Sequence, residues 1–137
     1  MYTQAELNSL EDKDYRDSYV DSHVKSSVAY QLQCIRENLG LTQKDFALLV
    51  GKPQSVVSRL ENTEYGKVTV QTLLDLAHRL DISLIVRFAS FTEFLQSYSD
   101  VSPERLAVDD YTTSKTKEMS LSTGASCPGS VPSTTQV

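Results

Sequence analysis

Gln54, Ser55, Ser58 and Arg59 put four hydrogen-bonding side chains at the spacing of one helix face, within the run PQSVVSRLE. An amide, two hydroxyls and a guanidinium make no nucleophile–base pair, so the chemistry they offer is recognition. A Gln amide can pair with adenine N6 and N7, and an Arg fork with guanine O6 and N7. Val57 and Leu60 give the same helix an apolar face to bury. A helix of this kind can lie in a DNA major groove while packing on its own protein. Gln54 is the first candidate for base contact. Ser55 and Ser58 are candidates for bases or phosphates. Arg59 is a candidate for a guanine or a phosphate, with Glu61 or a neighbouring helix as the competing partner.

Such a face is useful only if other elements hold it at a fixed angle. The preceding run, TQKDFALLVGK, supplies them. Thr42 can cap a short helix, with Asp45 at the capping-box position, where Glu would serve better. Phe46 and Ala47 face inward, and Ala47 is small where a second helix must cross. Gly51 stands where the chain leaves the helix and φ is often positive. Pro53 suits the first turn of the next helix, which needs no amide there. Gln43 opens the first helix, where its amide and unbonded backbone N–H groups can hold a phosphate oxygen, or cap their own helix instead. Lys44, Lys52, Asn62 and Lys67 are candidate phosphate neighbours, against the plainer reading of solvated surface groups.

From Ile35 to Ser83, with weaker support to Phe94, the chain resembles the phage-repressor (Cro/Xre) type of helix-turn-helix regulator. The resemblance rests on Arg36, Gly40, Thr42-Gln43, Ala47, Gly51, Gln54-Ser55, Val57, the run Ser58 to Asn62, and the Leu-x-x-Leu-Ala pattern ending at Ala77. It implies a five-helix DNA-binding domain that binds operators, usually as a dimer. It implies base contact for Gln54 and phosphate contact for Gln43. It also implies that Arg36 and Glu61 pair across the core, so that Arg36 is structural rather than a DNA contact.

The net charge of −5 is unusual for a DNA binder, but its distribution is uneven. Residues 1–24 carry two basic against six acidic residues, and residues 91–137 three against six. Residues 25–90 carry eight basic against six acidic, so the mildly basic part coincides with the motif. That small excess predicts weak non-specific affinity that falls quickly with salt. Cys34 and Cys127 form no disulfide or metal pattern, which suits a reducing cytoplasm. No run is long and apolar enough for a bilayer, and the acidic N-terminus lacks a signal-peptide core. His23 and His78 are isolated, the carboxylates of residues 6–21 read as a solvated face, and no Gly-rich phosphate loop follows a strand. Nothing therefore supports an enzyme, a cofactor or a metal.

Apolar residues from Tyr15 to Leu39 recur at helical spacing, as one helix or two joined near Ser26-Ser27, stopped by Gly40. Turn residues fill Asn62–Lys67. Thr69 caps a helix over Val70–Leu80, and Ser90-Phe91-Thr92-Glu93 opens a short helix to about Tyr98. Ile82–Phe88 is β-branched and apolar, and reads as a strand. A lone strand leaves its amides unpaired, so it predicts antiparallel pairing with a second copy, the alternative being a segment packed on its own helices. After Asp110 the chain is rich in Ser, Thr, Gly and Pro and predicts disorder.

The expected fold is mainly α: a compact helix-turn-helix domain of four to five helices with one C-terminal β-strand paired across a dimer. Residues 1–14 form an acidic arm, 15–99 the domain and 100–137 a disordered tail. The expected function is sequence-specific binding of a double-stranded DNA operator by a cytoplasmic, dimeric repressor, with the homodimer formed through Ile82–Phe88. The alternative is an antitoxin that neutralises a toxin partner and autoregulates its operon, using the acidic arm or residues 91–110 as the partner surface.

Overall fold

The structure, a computed structural model, describes residues 2–99 and 101–122. Within them the chain forms eight helices. Helix α1 (Gln4–Ser9) starts at a full capping box: Thr3 Oγ1 accepts from the Glu6 amide at 3.2 Å, and the Glu6 carboxylate accepts from the Thr3 amide at 2.6 Å. Helix α2 (Lys13–Asn38) is capped by Asp12, which accepts from the Tyr15 amide at 2.8 Å. It runs unbroken through Ser26-Ser27, so the single-helix alternative is the one observed. Gly40 ends it at φ +69°, a conformation that costs glycine nothing.

Helices α3 (Gln43–Val50), α4 (Gln54–Leu60) and α5 (Val70–Leu80) follow. Thr42 and Thr69 cap α3 and α5, each accepting a backbone N–H three residues on at 3.2 Å. These helices and the C-terminal half of α2 enclose one core of Leu32, Ile35, Phe46, Ala47, Val50, Val57, Leu60 and Leu76. Phe46 and Val57, each 1% exposed, sit at its centre. The periodicity that builds this core is visible in the sequence because each helix contributes an apolar stripe.

The strand expected over Ile82–Phe88 is not there: none of the described residues is in a strand. The segment runs without regular structure. Its start is anchored by the Ile82 amide, which donates to the Ala77 carbonyl at 3.0 Å, and by Ile82 packing on the core. Beyond Leu84 it leaves the core, with Ile85 81% exposed and Phe88 fully exposed. The physical reason is that β-propensity expresses fit to a neighbouring strand, and none of the described residues forms one beside it.

Three further helices follow: α6 (Phe91–Ser97), α7 (Pro103–Leu106) and α8 (Tyr111–Ser122). Ser90 caps α6 as its motif predicts, accepting from the Glu93 amide at 3.3 Å. Helices α7 and α8 lie in the part of the tail for which disorder is expected. Local hydrogen bonds account for α8. Asp110 accepts from the Thr113 amide at 2.8 Å, and Lys117 pairs with Asp109 at 2.5 Å. The composition argument keeps its force in another form, since α8 buries no residue. Residues 123–137, with Cys127, lie outside the described residues.

Candidate nucleic-acid interface

The turn between α3 and α4 sets the angle of the polar face. Gly51 takes φ +66°, and the Lys52 amide donates back to the Ala47 carbonyl at 3.0 Å. Together they fold the chain sharply off the end of α3. A β-carbon at Gly51 would also meet the Arg79 guanidinium at 3.3 Å. Ala47 is buried beneath the crossing of the two helices. Pro53 stands one residue earlier than the sequence suggests: it is the N-cap of α4, extended at ψ 147°, and not part of its first turn. That places Gln54 as the first residue of α4.

Around α4 the two faces separate cleanly. Val57 and Leu60 are buried at 1% and 5% exposure, while Gln54, Ser55, Ser58 and Arg59 are all exposed. The four candidate base-reading residues are thus brought together on the outer surface. Lys44 is exposed at the start of α3. Lys52 is half-buried, with its ammonium 3.8 Å from the Asp75 carboxylate. Asn62 spends its side-chain oxygen on its own turn, accepting from the Glu64 amide at 2.9 Å. Lys67 is exposed in the loop between α4 and α5.

Behind this surface lies a polar clamp. Arg36 Nε donates to Glu61 Oε1 at 2.6 Å, and Arg36 Nη2 to Glu61 Oε2 at 3.3 Å. Arg36 Nη1 donates to the Leu41 carbonyl at 2.9 Å, closing the turn at Gly40. The pair's side chains are 14% and 6% exposed. Donating to the Glu61 carboxylate raises the Arg36 guanidinium above its usual pKa, so the cation persists at any ordinary pH. This geometry bears out the structural role of Arg36. It also recruits a residue assigned elsewhere: the Gln43 side-chain amide donates to Glu61 Oε2 at 2.8 Å. The end of α2, the start of α3 and the end of α4 are thus tied at one carboxylate. Gln43 adjoins the interface, but its amide is committed inward.

Two residues of this surface are not legible in the sequence. Arg79, near the end of α5, lies against Gly51 and lines an open cleft with Lys52, Asp75 and His78. Tyr65 places its ring 5.8 Å from Arg59 Cζ. Both positions depend on how α5 and the loop before it return to the turn, and no local spacing signals that.

A protein-family model described as Helix-turn-helix matches residues 35–86, beginning at the same Ile35 where the sequence resemblance begins. No curated protein and no solved structure matches the chain. No helix among the described residues is long and apolar enough to cross a membrane.

Proposed function

From the membership of residues 35–86 in the Cro/C1-type helix-turn-helix family of DNA-binding transcription regulators, we propose that this protein is a repressor that reads a specific operator with α4. The observation that carries the proposal is the exposed row Gln54, Ser55, Ser58 and Arg59 on a helix whose other side is fixed by Val57, Leu60 and the Glu61 clamp. A rigid base-reading helix loses little freedom on binding, so its side chains meet base edges at a fixed angle. Gln54, first on the helix, contacts a base. Lys44, Lys52 and Lys67 contact phosphates, joined by Asn62 and by the backbone start of α3 at Gln43.

The repressor acts as a homodimer in this proposal. The corrected strand leaves Ile85, Val86 and Phe88 exposed at 81%, 64% and 104%, an apolar row that a second copy would cover. Repression follows from occupancy of the operator. Selection of bound sequences from random DNA tests the whole reading. Enrichment of an inverted repeat with half-sites about one helical turn apart is the expected result. Failure to enrich any sequence overturns it, and an enriched single half-site overturns the dimer. A second reading, an antitoxin with a toxin partner, draws support from the exposed Phe91, Val101 and Val108 of the segment that follows the domain. Copurification of a stoichiometric partner that shields those residues separates it from the first.

A further inference from the structure

Arg59 is the one cation on the polar face of α4, and a long exposed guanidinium has many rotamers to lose before it can make a fixed contact. Its natural tether by sequence is Glu61, two residues on. The structure removes that option, because both Glu61 oxygens are engaged by Arg36 and Gln43. Arg59 instead turns the other way. Its Nε donates to the Ser55 carbonyl at 3.3 Å, and its Cζ lies 5.8 Å from the centre of the Tyr65 ring. Attraction between a guanidinium and a ring face persists at exposed sites.

Tyr65 is itself held in place. Its amide donates to the Asn62 carbonyl at 3.1 Å, and the Asn62 side chain accepts from the Glu64 amide. On its far side Gly66, at φ +59°, is covered by the methylenes of Lys25 on α2; a β-carbon there would stand 2.7 Å from Lys25 Cδ. The turn that carries the half-buried Tyr65 ring is therefore held on both sides.

We propose that Tyr65 is a positioning residue: its ring face holds the Arg59 guanidinium beside Ser55 in the orientation in which it meets DNA. The proposal rests on the DNA-reading role of α4. Tyr65 acts through Arg59, and the feature that matters is the face of an aromatic ring, not apolar bulk.

The test compares the unmodified protein with Tyr65→Phe, Tyr65→Leu, Arg59→Ala and the double variant Arg59→Ala/Tyr65→Leu, on the operator selected from random DNA. Tyr65→Leu should weaken operator binding by about 2- to 5-fold, the range that an exposed cation–ring contact supports. Tyr65→Phe, which keeps the ring, should retain full affinity. The double variant should bind no more weakly than Arg59→Ala alone. In the free protein, the Arg59 side-chain protons should show an upfield ring-current shift in the unmodified and Phe proteins and lose it in the Leu variant. Equal binding by Leu and Phe, additive losses in the double variant, or an Arg59 shift that survives Tyr65→Leu overturns the proposal. An unmodified protein that selects no DNA overturns the operator-reading role itself, and this proposal with it.

Discussion

Two regions of this protein are held together in different ways. The helix-turn-helix region closes on a true interior, in which Phe46, Val57 and Leu76 are at most 2% exposed. The flanking region joins the first half of α2 to α6, and neither α1 nor α6 buries a residue. Its cohesion comes from rings with polar edges. The Tyr19 and His23 rings stack at 4.0 Å, and Phe94 and Tyr98 lie 4.5 Å apart. The Tyr98 hydroxyl meets Ser27 Oγ at 3.2 Å, and the Tyr2 hydroxyl donates to the Leu95 carbonyl at the same distance. Half-buried rings give up only part of their apolar surface, so each contact there stabilises less than a core residue does. The difference teaches a division of labour. The region that must present α4 at a fixed angle is packed to exclude water. The region outside the family match is joined by contacts that can open locally without unfolding the rest.

Four substitutions break or sharpen that comparison, in order of their expected effect on folding. Phe46→Ala should be the most severe. It empties the centre of the core and should cost about 3–5 kcal/mol, the usual range for a buried Phe. Thermal unfolding should show one cooperative transition at a much lower midpoint. A small shift would mean that the two regions are not so differently packed.

Arg36→Ala comes next. It leaves the Glu61 carboxylate, 6% exposed, without its cation, although Gln43 still donates to it. The loss should fall toward the lower end of about 3–5 kcal/mol, because Arg36 retains some solvent contact. Calorimetry measures it, and the melting midpoint should fall before any change specific to DNA appears. A variant that melts normally and loses only operator affinity would move Arg36 from the clamp to the DNA surface.

Phe94→Ala should cost about 1 kcal/mol, the scale of an aromatic pair outside a full core. Hydrogen exchange is the informative measurement. Amides of α6 should exchange faster, while protection across α3 to α5 stays unchanged. Equal loss of protection in both regions would show that they unfold as one unit and would end the comparison.

The smallest effect on folding is expected at Gln54, where Ala should change stability by no more than about 0.5 kcal/mol. Its effect should appear in recognition, as a loss of about 1–3 kcal/mol of specific operator binding with non-specific binding nearly unchanged. Titration against operator and random duplex measures both. Intact specificity would remove Gln54 from the reading set.

The sequence by itself determined the elements whose signals are short-range. Thr42, Thr69 and Ser90 cap helices because each hydroxyl needs only an amide three residues away. Gly40 and Gly51 end helices because the left-handed conformation is open to glycine at no steric cost. The polar and apolar faces of α4 follow from helical periodicity, so the candidate reading face is legible in the residues alone. The Arg36–Glu61 pair follows from family resemblance, which carries tertiary information that spacing does not.

Only the tertiary structure decided the rest. Ile82–Phe88 has the composition of a strand, yet pairing is a property of two segments, and none of the described residues supplies the second. By spacing alone Gln43 is free for a phosphate, but the end of α4 brings Glu61 to its amide at 2.8 Å. By spacing alone Arg59 can reach Glu61, but Arg36 occupies that carboxylate and Tyr65 arrives from the following loop. Each of these outcomes is a competition among groups distant in sequence for one partner. Chain order fixes which groups exist, but the winner depends on which of them the packed core carries within hydrogen-bonding reach.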